Sequence, residues 1–177
     1  MSFDVAKKMI DYIFDNRENP NSYFWEGTTG GLEFHFIGGE PLLNFSLIKE
    51  IILYIEKRML EIFNHPWFMF HKYLIDSNGV KYFEPEVQDF ISKCPYLIDV
   101  AITLDGDKEL HDSCRLFPDG TGSWDIAKEA ALYNQKYYNK QNTKITLSPF
   151  NVNFTSKAIL NMIDLGFKEI NINCCFE

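Results

Sequence analysis

The chain has 177 residues, of which 46% are hydrophobic and 16% aromatic. This is enough for one well-packed domain and excludes a disordered tail or a disulfide-dependent miniprotein. Its 17 basic and 25 acidic residues give a net charge of -8, so the sequence lacks the basic field that binding to nucleic acid requires. No apolar run approaches the roughly 20 residues of a membrane span, and the four cysteines have no regular spacing, which predicts a cytoplasmic protein in a reducing compartment.

The hydrophobic pattern predicts helices and strands that alternate along the chain. The first element is an amphipathic helix over residues 2–14, which Ser2 caps and whose apolar face consists of Val5, Met9, Ile13 and Phe14. After a polar loop over residues 16–31, the segment 32–37 alternates like a strand until a pair of glycines stops it. A long helix capped by Asn44 follows, and its predicted apolar face consists of Ile48, Ile51, Ile52, Ile55, Met59 and Phe63.

The same alternation continues to the end of the chain. Further strands are predicted over residues 68–76, 97–104, 144–150 and 168–176. Three helices are predicted between these strands. One spans residues 85–93 and begins at Pro85, one is capped by Asp125, and one begins at Thr155. The apolar faces of the last two helices consist of Ile126, Ala130, Tyr133 and Tyr137, and of Ile159, Met162 and Ile163.

This order is typical of an α/β fold with a parallel sheet, either doubly wound or barrel-like. It begins on a helix and ends on a strand. Because a βα unit normally begins with its strand, a first strand is expected to be missing upstream. A solitary N-terminal helix that covers a sheet is the alternative.

Three turn sequences fall at the carboxyl ends of the predicted strands, where ligands bind in parallel sheets. They are Gly38-Gly39-Glu40-Pro41, Ser77-Asn78-Gly79 and Leu104-Asp105-Gly106. We therefore expect them to share one rim. In addition, two strands place polar residues on the face opposite their apolar one, which indicates either a wet cavity for a polar ligand or a sheet face that is simply exposed to solvent. These residues are Asp99, Ala101, Thr103 and Asp105, and Asn171, Asn173 and Cys175.

Four pieces in this order, FHFIGGEPLLNFSLIKEII, SNG, ITLDGDKELHDSCR and DGTGSWDIA, resemble a radical S-adenosylmethionine (SAM) enzyme. The resemblance is to the branch with a C-terminal SPASM or twitch extension, which includes anaerobic sulfatase maturases and peptide maturases, and it covers nearly the whole chain. It implies a partial (β/α) barrel that binds SAM and a [4Fe-4S] cluster, whose 5′-deoxyadenosyl radical abstracts hydrogen from a peptide or protein substrate.

The resemblance also implies roles for single residues. The GGE motif is matched by Gly38, Gly39 and Glu40, and the backbone of this motif meets the methionine amino group of SAM. Thr103 and Arg115 match the residues that hold the methionine carboxylate, which suits a hydroxyl donor and a bidentate guanidinium. The remaining cofactor-binding positions are Asn78, in the SNG piece, and Cys175, which aligns near the adenine.

The chain departs strongly from the family, because it contains no CxxxCxxC cluster motif and none of its cysteines can substitute by spacing. Residues 1–177 are therefore expected to form a single incomplete radical SAM core domain that lacks the first strand and the cluster loop. Such a fragment is predicted to be inactive alone and to self-associate through an exposed strand edge.

Two other hypotheses remain open at this point. One is a degenerate, non-catalytic barrel that serves as a peptide-binding or interaction module. The other is a metal-binding protein that uses Cys114, Cys174 and Cys175 with His35 or His111, although buried structural cysteines are commoner than metal sites.

Overall fold

A computed structural model describes residues 1–21 and 30–175 of the protein. Within them, five strands alternate with helices. The strands are β1 (Leu32–Phe36), β2 (His71–Ser77), β3 (Ile98–Ile102), β4 (Asn142–Leu147) and β5 (Glu169–Cys174). The helices are α1 (Phe3–Asp15), α2 (Phe45–Glu61), α3 (Pro66–Met69), α4 (Pro85–Lys93), α5 (Lys108–Asp112), α6 (Trp124–Tyr138) and α7 (Thr155–Asp164), with single 3₁₀ turns before α2 and α7.

All strand pairs are parallel, and the strands lie side by side in chain order. β1, β2 and β3 form one ladder and β4 and β5 a second. The two ladders meet at a parallel bridge between Thr103 and Lys144, where Leu104 N donates to Lys144 O at 2.8 Å. A buried side-chain bond, from Thr143 Oγ1 to Ile102 O at 2.9 Å, reinforces the same junction. The predicted α/β architecture with parallel strands is confirmed.

The core lies between the sheet and the helices. Phe14, Ile55, Met59, Trp67 and Tyr73 are almost completely buried there. Val87 and Ile91 on α4 and Ala127 and Ala130 on α6 are also buried, and α6 packs against β3. Burying a large apolar side chain of this kind stabilises the fold by about 1.5 to 3 kcal/mol. None of the described helices combines the length and apolarity that a membrane span requires.

Several predicted helix faces are rotated relative to the structure. In α1 the buried residues are Ala6, Ile10 and Phe14, whereas Val5 and Met9 are 50% and 58% exposed, because Phe14 packs edge-on against Trp67 and fixes the helix rotation. Three further residues of the predicted apolar faces are exposed in the structure: Phe63 beyond the end of α2, Tyr137 on α6 and Ile163 on α7. Their places are taken by Ile62, by Ala127 and Ala131, and by Ala158.

Several predicted boundaries are wrong. The strand predicted over 144–150 is Asn142–Leu147, and the residues after Leu147 form the turn that leads to α7. The strand predicted over 68–76 begins only at His71, because Pro66 occupies the first position of α3 and its turn ends at Met69. Helix α6 begins after Ser123, so Asp125 lies in its first turn and does not cap it. Ser2 and Asn44 do stand at cap positions, but their side chains make no capping bond. Part of the predicted loop over 16–31 lies outside the described residues, and so does the last residue of the strand predicted over 168–176.

Candidate functional site

The loop after β1 is tied to the end of β2 by Glu40. Its Oε1 atom accepts hydrogen bonds from Leu42 N at 3.0 Å and from Ser77 Oγ at 2.9 Å, and its Oε2 atom accepts from Asn78 N at 2.7 Å. The Glu40 carboxylate is therefore occupied by the protein itself. Any ligand contact of this motif is left to the exposed backbone of Gly38 and Gly39.

The other strand ends continue the rim. Thr103 N donates to Ser77 O at 2.9 Å, so the ends of β2 and β3 adjoin. Cys175 N donates to Leu147 O at 2.7 Å and extends the β4–β5 pairing, and its side chain is exposed. The Asn78 side chain shapes its own turn by accepting from Val80 N at 2.9 Å. The predicted rim is therefore present, and the Asn78 side chain serves its loop.

Arg115 reaches the rim from the segment after α5. Its Nε atom donates to Asp105 Oδ2, and the Asp105 side chain is only 2% exposed. The other carboxylate oxygen, Asp105 Oδ1, accepts from Thr146 N on β4 at 2.7 Å. The Arg115 side chain is 28% exposed, and its two terminal nitrogens have no hydrogen-bond partner among residues 1–21 and 30–175. A guanidinium held in this way has donors available for a further carboxylate.

A buried histidine holds the backbone on both sides of this ion pair. Asp105 N donates to His111 Nδ1 at 3.2 Å, so the proton of the neutral ring is on Nε2, which lies 3.1 Å from Ser123 Oγ. Ser123 Oγ donates in turn to Arg115 O at 3.1 Å. Burial, together with the nearby Arg115 charge, outweighs the pull of Asp105 and lowers the pKa of His111 to about 4. His111 is therefore neutral near pH 7, with one defined tautomer.

The inner face of the sheet borders a polar cavity of about 290 Å³. Asp76 accepts there from Lys144 Nζ on β4 and lies 3.1 Å from His35 Nε2 on β1. Burial raises the pKa of Asp99, and Lys140 opposes this from 3.9 Å. Val100, Ile102 and Leu104 meanwhile pack in the core, as their parity predicts. Of the residues predicted to face a cavity, Asp99, Asn171 and Asn173 line it. Ala101, Thr103 and Asp105 do not, because they are buried at the junction with β4, and Cys175 is not among the lining residues either.

The cysteine–histidine metal site that the sequence left open is not assembled. Among the residues that the structure describes, no group of three or more His, Cys, Asp or Glu side chains is placed to hold a metal ion. Both ring nitrogens of His111 are engaged within the protein, and His35 pairs with Asp76.

Sequence reasoning missed the roles of Asp105, His111 and Ser123. Asp105 appeared only in a turn and on the polar face of a strand, and His111 only as a candidate metal ligand. The available signal was the polar residue just beyond β3, because a buried carboxylate requires a partner, and Arg115 is the next arginine in the chain.

Comparison with known proteins identifies the fold. Neither a protein-family model nor a curated protein matches the chain. Solved structures do match it: "Native anSMEcpe with bound AdoMet and Kp18Cys peptide" has a TM-score of 0.72 and 19% identity, and covers 100% of this chain and 44% of that one. "Native anSMEcpe with bound AdoMet" has a TM-score of 0.71 and 19% identity over 100% of this chain and 43% of that one. This chain thus spans less than half the length of these structures.

The identity is too low to carry function, but the similarity covers every element described above. The resemblance that the motifs indicate is confirmed at the level of the fold. The chain has the α/β fold of the corresponding part of anSMEcpe, an anaerobic sulfatase-maturating enzyme of the radical SAM type.

Proposed function

We propose that residues 1–177 form the SAM-binding part of the core of a radical SAM enzyme that modifies a peptide or protein. The observation that carries this proposal is the Arg115 guanidinium, which is held at the rim by Asp105 with both terminal nitrogens unpaired within the described residues. The parallel strands lie in chain order, which supports a partial (β/α) barrel. A doubly wound sheet is less well supported, because its strand order reverses. Four free thiols support a reducing, cytoplasmic setting.

The residues present fit SAM at two points of the rim. A Cβ atom added to Gly39 would meet no atom within 4 Å, so there is open space directly above the backbone of this residue. Arg115 offers a planar pair of donors for the methionine carboxylate. Thr103, whose backbone joins the end of β2, is buried at the same rim and carries a hydroxyl group. SAM, when bound and reduced, supplies the radical that abstracts hydrogen from the substrate. This chain's own residues would bind and orient it.

The residues present do not fit a [4Fe-4S] cluster. Three closely spaced cysteine thiolates are needed, whereas Cys94 and Cys114 are far apart in sequence and Cys174 and Cys175 are adjacent. We therefore propose that this chain alone does not catalyse the reaction.

A Gly39→Ala substitution tests the proposal. We expect isothermal titration calorimetry to show one SAM site in the unmodified chain and a site at least roughly tenfold weaker in the variant. The added methyl group occupies the space through which SAM contacts the Gly39 backbone. The unfolding midpoint in urea should not change, because Gly39 lies outside the left-handed region and its Cβ position is empty.

Ser92→Ala, an exposed change on α4, is the matched control and should bind SAM like the unmodified chain. Equal SAM affinity in Gly39→Ala and the unmodified chain would contradict a role for the Gly39 backbone.

A peptide-binding module without SAM chemistry is the second candidate. It is favoured by a cavity of about 760 Å³ beside the rim, lined by Leu110, Phe150 and Phe154 together with Cys114. Phe150 and Phe154 are 79% and 50% exposed. This module would bind no SAM, so the same titration separates the two candidates.

A further inference from the structure

Asp105 is a buried carboxylate at the meeting point of three segments. Asp105 directly follows Leu104, which is fully buried. Its Oδ1 atom accepts from Thr146 N on β4 at 2.7 Å, and its Oδ2 atom accepts from Arg115 Nε. Its side chain is 2% exposed. Burying a charge costs several kcal/mol unless it is paired and hydrogen-bonded, and here both oxygens have partners.

The contact through Nε leaves most of the guanidinium donors unused. Arginine has five N–H groups in a rigid plane, one on Nε and four on the terminal nitrogens. Asp105 engages only the first, and no described residue engages the other four. Pairing that serves stability alone would be expected to use two parallel bonds, because a bidentate pair is the stronger arrangement. The single bond therefore fixes the plane of the side chain while leaving its terminal donors available.

The main chain of Arg115 is fixed as well. Ser123 N and Ser123 Oγ both donate to Arg115 O at 3.1 Å, and Arg115 N donates to His111 O at 3.0 Å. His111 Nδ1 in turn accepts from Asp105 N. Side chain and backbone are thus anchored to one buried cluster, Asp105, His111 and Ser123.

We propose that Asp105 is a positioning residue, which orients Arg115 toward the carboxylate group of the methionine moiety of SAM. The proposal rests on the function proposed above and deepens it by assigning a residue that does not itself contact the ligand. Its physical basis is preorganisation, because an arginine that is already ordered loses less side-chain entropy when it binds. Without Asp105, Arg115 must order its side chain on binding, and part of its charge-assisted pairing with the ligand is lost.

The test compares SAM with decarboxylated SAM, which differs only by the missing carboxylate. The unmodified chain is expected to bind SAM more tightly by at least about tenfold, as one charge-assisted bidentate contact provides. In Asp105→Asn the amide oxygen can still accept from Thr146 N, but the amide NH₂ faces Arg115 Nε without a charge. We expect this variant to lose most of the preference for SAM while its affinity for decarboxylated SAM stays within about twofold.

Two further variants make the result decisive. Asp105→Glu keeps the charge but moves it by one methylene group, and it is also expected to lose the preference for SAM. This variant tests the proposal if Asp105→Asn folds poorly. Asp99→Asn changes a second carboxylate of the same strand face, one that is partly buried and pairs with Lys140, and should keep the preference for SAM.

The outcomes separate the two proposals. A retained preference for SAM in both Asp105 variants overturns the positioning role. Equal weakening of both ligands also overturns it, because that result describes a purely structural residue. If the unmodified chain binds neither ligand, the proposed function itself fails and the inference fails with it.

Discussion

Glu40→Ala is expected to lower the free energy of unfolding by about 3 kcal/mol, because the Glu40 carboxylate accepts three hydrogen bonds that join two rim loops. Hydrogen bonds to a charged acceptor are worth about 1.5 to 3 kcal/mol each, and the half-buried site lets water replace part of them. Leu42 N and Asn78 N lose their acceptor in the variant. Urea unfolding followed by tryptophan fluorescence measures the difference.

The same substitution is expected to abolish detectable SAM binding. Glu40 directly follows Gly39, so its bonds to Ser77 and Asn78 hold the Gly39 backbone at the rim. Glu50→Ala removes an exposed carboxylate from α2 and serves as the control, with stability and binding unchanged. A loss below about 1 kcal/mol for Glu40→Ala would show that the two loops are held by other contacts.

Acid is expected to destabilise the protein through His111. The pKa of this residue is about 4 in the folded protein, because of burial, and about 6.5 in an unfolded chain. Between these values the unfolded state takes up a proton that the folded state does not bind, so the free energy of unfolding falls as the pH falls from 6.5 to 4. The full loss is roughly 3 kcal/mol and is complete below pH 4.

His111→Gln isolates this contribution, because glutamine has one acceptor and one donor group but no charge change in this range. Unfolding free energies measured at pH 7, 5.5 and 4 should fall less steeply for the variant than for the unmodified chain. His65 and His71 titrate in both proteins: burial lowers the pKa of His65, whereas at His71 burial is outweighed by the bond to Glu56, which raises the pKa. Parallel pH profiles for the two proteins would contradict the assignment.

The alternation of helices and strands was predictable because local signals coincide there with the fold. Helix α4 spans the predicted residues 85–93, where Pro85 takes the first helical position and Val87 and Ile91 supply one buried turn each. The rim was predictable for the same reason, because glycine and asparagine turns end β1 and β2, and parallel strands bring their carboxyl ends to one edge.

Other features depend on contacts between distant parts of the chain. The rotation of α1 follows from Phe14 meeting Trp67, which lies 53 positions later and leaves no trace in the period of the helix itself. The role of Asp105 requires Thr146 on β4, and that of His111 requires Ser123. Polar groups such as these are recognisable only when their partners are known, since the same residue types in a loop are usually solvated.

The central claim is that the rim formed by the ends of the five strands binds SAM, and a ¹H–¹⁵N correlation spectrum recorded during a SAM titration tests it most directly. We expect saturable shifts of the amide signals of Gly38, Gly39, Thr103 and Arg115, and unchanged signals for α4 on the covered side of the sheet. A spectrum in which these rim amides do not move, at SAM concentrations up to the solubility of the ligand, would contradict the claim.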